Sequence, residues 1–260
     1  MSDFKAITSR ENSLIKLVSF LQTSAKKRRE NGLFVLEGLR ICLDAMENLI
    51  RFDKLIISET AIKKYSDTVN SFALNADGHF VIPDSLFEKI SDTKSPQGII
   101  AVCKIQDRKS SEIDSCGKYV ALENVADPAN LGAVSRTAEA LGADGLILSA
   151  DGCDPYSPKA LRASMGTLLR VPVFIFNDLA GELKKSGLKS FACVVDKNAE
   201  SIKEQSFNDG SVVIIGNEAN GITDETKAAA DRLVTIPMSG RAESLNAAAA
   251  AAIAVWEMMK

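Results

Sequence analysis

Apolar positions recur at helical spacing twice in the first fifty residues, at Leu14, Leu17, Val18 and Leu21 and again at Leu36, Leu39, Leu43 and Met46. This spacing predicts amphipathic helices over residues 12–24 and 36–50. Short apolar runs follow at Lys54–Ser58, His79–Pro83 and Ile99–Ile105. They read as strands separated by helical or turn segments, a compact α/β unit ending near Ile105. The stretch Gln106–Ser115 (QDRKSSEIDS) is polar and aperiodic and marks a linker. From Lys118 the pattern becomes regular. Strands are predicted at Tyr119–Glu123, Gly145–Ser149, Val171–Phe176, Ser190–Val195, Ser211–Ile215 and Leu233–Ile236. Most are unbroken apolar runs, as expected of strands covered on both faces. Helices are predicted between them at Ala133–Leu141, Ser157–Ala163, Asp178–Lys185, Asp224–Ala230 and Leu245–Met259. Such alternation specifies a doubly wound parallel α/β sheet, in which ligands bind beyond the carboxyl ends of the strands.

Composition adds limits. A chain of 260 residues, 46% hydrophobic and 25% charged, is ordinary for a soluble globular protein of one large or two smaller domains. No secretory leader is expected, because Met1-Ser2-Asp3-Phe4 opens into a polar segment. The longest uncharged stretch, Ser244–Trp256, is too short to span a bilayer, so no membrane association is expected. Five scattered cysteines without CxxC spacing read as thiols in a reducing cytoplasm. The single histidine, His79, excludes a multi-histidine metal site, and no metal is expected; it reads as a polar residue entering a strand. Charge is distributed unevenly. Residues 1–40 hold eight basic and four acidic side chains, whereas residues 120–260 hold thirteen basic and eighteen acidic. A basic N-terminal part before an acidic C-terminal part fits one region that meets an anionic polymer and another that does chemistry.

Four segments carry candidate chemistry. In ENVADPANLGAVSRTAEALGADGLIL (123–148) a strand ends at Glu123-Asn124, and Asp127-Pro128 and Asn130 precede a helix bearing Arg136 near its start. Asn130 is placed to cap that helix, to hold Arg136 or to hold a substrate phosphate. Residues Gly216–Thr223 nearly spell a P-loop, but Ile222 stands where the phosphate-binding lysine belongs and Glu218 brings negative charge into the cradle. Nucleoside triphosphate binding is therefore rejected, leaving an Asn-Gly turn or a loop that brings backbone close to a ligand. In IPMSGRAESLNAAAAAAIAVWEMMK (236–260) two small polar residues, Ser244 and Asn246, precede an alanine-rich helix. Read simply, Ser244 caps it and Asn246 decorates its first turn. The alanines also permit close approach of another backbone. In DPYSPKALRASMGTLLRVPV (154–173), Lys159 and Arg162 share a helical face, either solvating it or holding phosphates.

Taken together, Asn130…Arg136-Thr137-Ala138, Gly216-Asn217-Glu218-x-x-Gly221 and Ile236-Pro237-Met238-x-Gly240…Ser244-Leu245-Asn246 resemble the SpoU/TrmH family of RNA ribose 2'-O-methyltransferases. The likeness covers residues 118–260. More loosely, ITSRENSLIK (7–16), FVLEGLR (34–40) and SPQGIIAV (95–102) resemble the RNA substrate-binding domain that precedes many members and is itself similar to a ribosomal RNA-binding protein. The resemblance implies a substrate-binding domain at 1–107, a linker at 108–117 and a methyltransferase domain at 118–260. It implies a trefoil-knotted α/β fold, S-adenosylmethionine as cofactor, and a homodimer with active sites near the subunit interface. By position, Arg136 matches the catalytic arginine, Asn130 the asparagine supporting it, Glu218 the middle-block glutamate, and Ser244 and Asn246 the last polar pair. The cofactor pocket would be lined by Val194, Val195, Asp196, Ile215, Gly216, Asn217, Glu218, Ile236, Met238 and Leu245. Lys26, Lys27, Arg28 and Arg29, with Lys159 and Arg162, are the cations expected to meet RNA. Relatives often have Val or Ser where this chain has Ala247-Ala248-Ala249, a departure that bears on dimer geometry.

The implied substrate is large-subunit ribosomal RNA, with transfer RNA as the alternative. The rivals are a base methyltransferase of the same superfamily and an RNA-binding module without turnover. The resemblance makes Arg136 a proton acceptor. A guanidinium is effectively always protonated, so gripping the ribose phosphate and stabilising the developing alkoxide is an equally good role.

Overall fold

The computed structural model describes residues 4–260; Met1–Asp3, on which part of the leader expectation and one acidic charge rest, lie outside the described residues. The chain divides into two units. One runs to Gln106 and includes Tyr156–Leu161, and the other comprises Asp107–Pro155 and Arg162–Lys260.

In the first unit the order is β1 (Lys5–Ala6), α1 (Ser13–Thr23), α2 (Ala25–Asn31), β2 (Leu33–Glu37), α3 (Leu39–Glu47), β3 (Phe52–Ser58), α4 (Glu59–Lys64), α5 (Ser66–Leu74), β4 (His79–Ile82), α6 (Asp84–Ile90) and β5 (Ile99–Lys104). Asn12 caps α1 by accepting from the Leu14 N–H, and the helix buries Ile15, Val18 and Leu21. The five-stranded sheet runs β1-β4-β3-β5-β2. Strands β1, β4 and β3 are parallel, and β5 pairs antiparallel with both β3 and β2. Leu36, assigned from periodicity to a helix, is fully buried in β2, and α3 begins only at Leu39. Gly38, at φ +112°, turns the chain between them. The apolar run 33–36 satisfied both periods at once, and pairing with β5 decides for the strand.

The second unit contains β6 (Lys118–Leu122), α7 (Pro128–Leu141), β7 (Gly145–Ser149), α8 (Pro158–Ser164), α9 (Thr167–Arg170), β8 (Val173–Phe176), α10 (Leu179–Ser186), β9 (Lys189–Cys193), β10 (Glu200–Ser201), β11 (Ser211–Ile215), α11 (Asp224–Ala229), β12 (Arg232–Thr235) and α12 (Ala247–Met259). Helix α8 crosses the division, its first residues clustering with the first unit. All seven strands are parallel, in the order β10-β12-β9-β11-β6-β7-β8. The apolar runs of the inner strands β6, β7, β9 and β11 are buried, as two-sided cover requires, whereas Ile175 on β8 and Leu233 on β12 are exposed. The expected linker 108–117 belongs to this unit. It contains a 3-10 turn at Ser110–Glu112, and Ile113 joins the core with Tyr119, Phe174 and Leu188. One buried isoleucine among polar neighbours was too weak a signal to read.

Strand β11 enters the sheet between β6 and β9, far from β6 in sequence. The chain order therefore reverses at β6/β11/β9, and the carboxyl ends of these strands face a crevice of the kind that binds ligands in open parallel sheets. Helix α12 packs on α7, β6 and β11. Ala247, Ala251 and Ala254 are buried, so small side chains are what let it lie close. Its C-terminal end is fastened where the Lys118 ammonium donates to the Met258 carbonyl at 2.9 Å. Among the described residues no helix is long and apolar enough to cross a membrane.

Candidate active site

A cavity of about 510 Å³ opens at the carboxyl ends of β9, β11 and β12. Its walls include Val194–Asp196 after β9, Ile215–Glu218 after β11, Ile236 and Met238 after β12, and Leu245 ahead of α12. These are all ten positions assigned to the cofactor from sequence. Ser244 lines it too, as do Lys227, Thr235, Ala247 and Ala250, which sequence reasoning did not assign to the cofactor. The size suits a small organic ligand, and Asp196, Asn217, Glu218, Lys227 and Ser244 set polar groups among the apolar walls.

The loop after β11 is shaped by its glycines. A side chain on Gly216 would lie 2.3 Å from the Gly221 carbonyl carbon, so only glycine fits. Asn217 and Gly221 exchange backbone hydrogen bonds at 3.0 and 2.9 Å. The Asn217 side-chain oxygen accepts from the Ala219 and Asn220 N–H groups, and its amide donates to the Asn124 carbonyl at 2.7 Å. The loop is therefore closed on itself and tied to the end of β6. Its far end is held by Glu123, whose buried carboxylate accepts from the Thr223 N–H and from the Thr223 and Thr226 hydroxyls.

Three sequence blocks meet at one side chain. The Asn130 amide donates to Glu218 Oε1 at 2.7 Å, and its Oδ1 accepts from the Asn246 amide at 3.0 Å. Glu218 also accepts from the Ala126 and Asp127 N–H groups at 3.2 and 3.3 Å. Its carboxylate thus sits at the positive end of α7. Burial pushes the Glu218 carboxyl up, but hydrogen bonds from Asn130 and from the backbone of Glu218, Ala126 and Asp127 outweigh it and hold the group below the usual carboxylate range. The charge that disqualified this loop as a phosphate cradle is itself the anion that a helix N-terminus receives.

Two capping assignments change. Asp127, not Asn130, caps α7, accepting from the Ala129 N–H at 2.8 Å with Pro128 in the first turn. Asn130 lies within that turn, 7% exposed, and its side chain serves Glu218 and Asn246. Asn246, not Ser244, caps α12, accepting from the Ala248 and Ala249 N–H groups. Ser244 is left free to face the cavity.

Arg136 stands apart. Helix α7 starts at Pro128, so Arg136 falls in its third turn and not near its start. Six residues beyond Asn130, it is turned about 120° around the helix and set about 9 Å further along. Its side chain is exposed, lies outside the cavity lining, and makes no hydrogen bond or ion pair among the described residues.

The cations assigned to RNA separate. Lys26, Lys27 and Arg29 are exposed on α2, with Lys26 and Lys27 paired to Glu30. Arg28 is 4% exposed and donates to the Leu21 and Gln22 carbonyls, so it fastens α2 to the end of α1 and is not open to RNA. Lys159 and Arg162 are both exposed on α8.

A model described as the SpoU rRNA Methylase family matches residues 117–256, and one described as the MRM3-like substrate binding domain matches residues 12–101. The chain is 30% identical over 258 residues to RlmP, the 23S rRNA (guanosine(2553)-2'-O)-methyltransferase of Bacillus subtilis, covering 98% of this chain and 99% of that one. It is 28% identical over 269 residues to the 23S rRNA (uridine(2479)-2'-O)-methyltransferase of Streptomyces viridochromogenes, covering 98% and 92%. The AdoMet-bound rRNA methyltransferase of Sinorhizobium meliloti superposes with a TM-score of 0.84 at 27% identity, over 98% of this chain and 97% of that one.

Proposed function

Because the chain belongs to the SpoU rRNA methylase family, we propose that it transfers a methyl group from S-adenosylmethionine to a ribose 2'-hydroxyl of large-subunit ribosomal RNA. The observation that carries this reading is the Asn130–Glu218–Asn246 network, which joins all three sequence blocks beside a cavity of cofactor size. Two relatives of nearly full length being 23S rRNA 2'-O-methyltransferases favours ribosomal over transfer RNA.

Bound S-adenosylmethionine supplies an electrophilic methyl group on a sulfonium centre. The loops after β9, β11 and β12 hold it, with Val194, Ile215, Ile236 and Leu245 as apolar walls. Alignment of donor and hydroxyl can account for about 7–11 kcal/mol of barrier lowering. Glu218 acts by position: its carboxylate is already engaged by Asn130 and the start of α7, which fixes the loop against α12. Ser244, on the cavity wall, faces the reacting ribose. Arg136 grips the ribose phosphate and stabilises the developing oxyanion as the 2'-hydroxyl proton passes to solvent water and the sulfonium becomes a neutral thioether, a role that suits a guanidinium without an internal partner.

The protein acts as a homodimer. Ala249, Ile253 and Trp256 recur along the exposed side of α12, and Trp256 is 55% exposed, an apolar stripe that a second copy would cover. With Arg136 on the outer face of α7, the helix on which α12 packs, the arginine then works close to the subunit boundary. The C-terminal segment that ends in α12 is threaded as the trefoil knot of this family, and the enzyme works in the cytoplasm.

The test is methyl transfer from labelled S-adenosylmethionine to large-subunit rRNA, followed by nucleoside analysis. A 2'-O-methylnucleoside is expected. A base-methylated product would transfer the assignment to the base-modifying rival, and no label in RNA would leave a binding module.

A further inference from the structure

We propose that Lys227 binds the carboxylate on the amino-acid arm of S-adenosylmethionine, an assignment that rests on the cofactor reading above. Lys227 projects from α11 into the lining of the cavity. Among the described residues that line it, Lys227 alone carries a positive charge, and Asp196 and Glu218 are the negative ones. The cofactor has a single anionic group, its carboxylate. Without Lys227 that group would enter a cavity whose only formal charges are of its own sign.

The existing contacts leave Lys227 available. Glu218 is engaged by Asn130 and the start of α7, and Asp196 accepts from the Asn198 N–H at 2.8 Å. The Lys227 ammonium donates to Asp224 Oδ1 at 3.1 Å, on a side chain that is wholly exposed. An exposed pair of this kind holds weakly. An ammonium has three donors, so Lys227 can keep Asp224 and still donate to a ligand carboxylate. The methyl donor and its demethylated product carry the same arm. Lys227 therefore strengthens binding of both and does not favour the transition state, which places its effect in KM and not in kcat.

The test is calorimetric titration of the full chain with two ligands, S-adenosylhomocysteine and 5'-methylthioadenosine, which lacks the arm's carboxylate and ammonium. Lys227→Met should weaken S-adenosylhomocysteine roughly tenfold, the low end for a hydrogen bond between charged groups because the ammonium stays partly in water. Binding of 5'-methylthioadenosine should be unchanged, which also shows that the cavity is intact. Lys227→Arg should restore most of the affinity. Equal weakening of both ligands, or of neither, overturns the assignment of Lys227 and leaves the cofactor reading standing. Wild-type protein that binds neither ligand overturns both.

Discussion

Replacing Asn130 by aspartate turns the donor that holds Glu218 into a second carboxylate of the same shape. The Asn130 amide nitrogen lies 2.7 Å from Glu218 Oε1. Two carboxylate oxygens at that separation repel by about 6 kcal/mol at an effective dielectric constant of about 20, and by about half that where water enters, as it does around Glu218. The alternative is uptake of a proton. This costs about 1.4 kcal/mol for each pH unit above an aspartate's ordinary value of about 3.9, hence about 4 kcal/mol at pH 7 and about 1.5 kcal/mol at pH 5. Once protonated, the new carboxyl donates to Glu218 and restores the missing hydrogen bond. Its folded-state pKa is therefore raised above the unfolded value. The deficit is full at high pH and shrinks as pH falls through that raised pKa. Asn130→Asp should lose about 3–4 kcal/mol relative to wild type at pH 7 and about 1.5 kcal/mol or less at pH 5. Urea unfolding followed by fluorescence of Trp256, the only tryptophan and a residue of α12, reports on the affected unit. An equal deficit at both pH values, or one below about 1 kcal/mol at pH 7, would refute the view that the Asn130–Glu218 bond holds the three blocks together.

Arg136→Lys keeps the charge but loses the planar fork, so turnover on rRNA should fall about a hundredfold or more. Because Arg136 is exposed and unpaired among the described residues, thermal stability should not move, and near-normal turnover would contradict its assigned role. The α2 cations should divide in the same way as their burial. Alanine at Lys26, Lys27 and Arg29 should weaken RNA binding and flatten its salt dependence, the log–log slope falling by about 0.7–0.9 for each phosphate no longer neutralised, without changing the melting temperature. Arg28→Ala should do the reverse, destabilising the first unit by about 2–3 kcal/mol because the Leu21 and Gln22 carbonyls lose their donor. An unchanged melting curve for Arg28→Ala would contradict the burial argument.

The parallel sheet was legible because short apolar runs, Gly145–Ser149 and Ser211–Ile215 among them, alternate along the chain with longer helical segments. Leu36 is drawn into the following helix by periodicity because an apolar residue at the end of the run Leu33–Leu36 satisfies either period, and only the pairing with β5 assigns it to the strand. At the site, residue types were readable and partners were not. Asn130 and Asn246 both sit at helix starts, where asparagine is a common cap, and one caps while the other does not. What distinguishes them is the position of Glu218, 88 residues from Asn130 in sequence. Burial was hidden in the same way. Lys26–Arg29 is a uniform basic run, yet one member turns inward because α2 folds back on the carbonyl end of α1. Lys227 gave no signal at all, since a lysine on a short helix looks like solvated surface until the cavity beside it is seen.

The reaction proposed for this chain is ribose methylation of large-subunit rRNA through Arg136. It is tested most directly by mapping 2'-O-methyl groups across rRNA from cells in which the coding sequence is deleted, then restored as wild type or as Arg136→Lys. One large-subunit ribose methyl group should vanish on deletion, return with the wild-type chain and stay absent with Arg136→Lys. Full retention of every ribose methyl group after deletion, or equal restoration by Arg136→Lys, would contradict it.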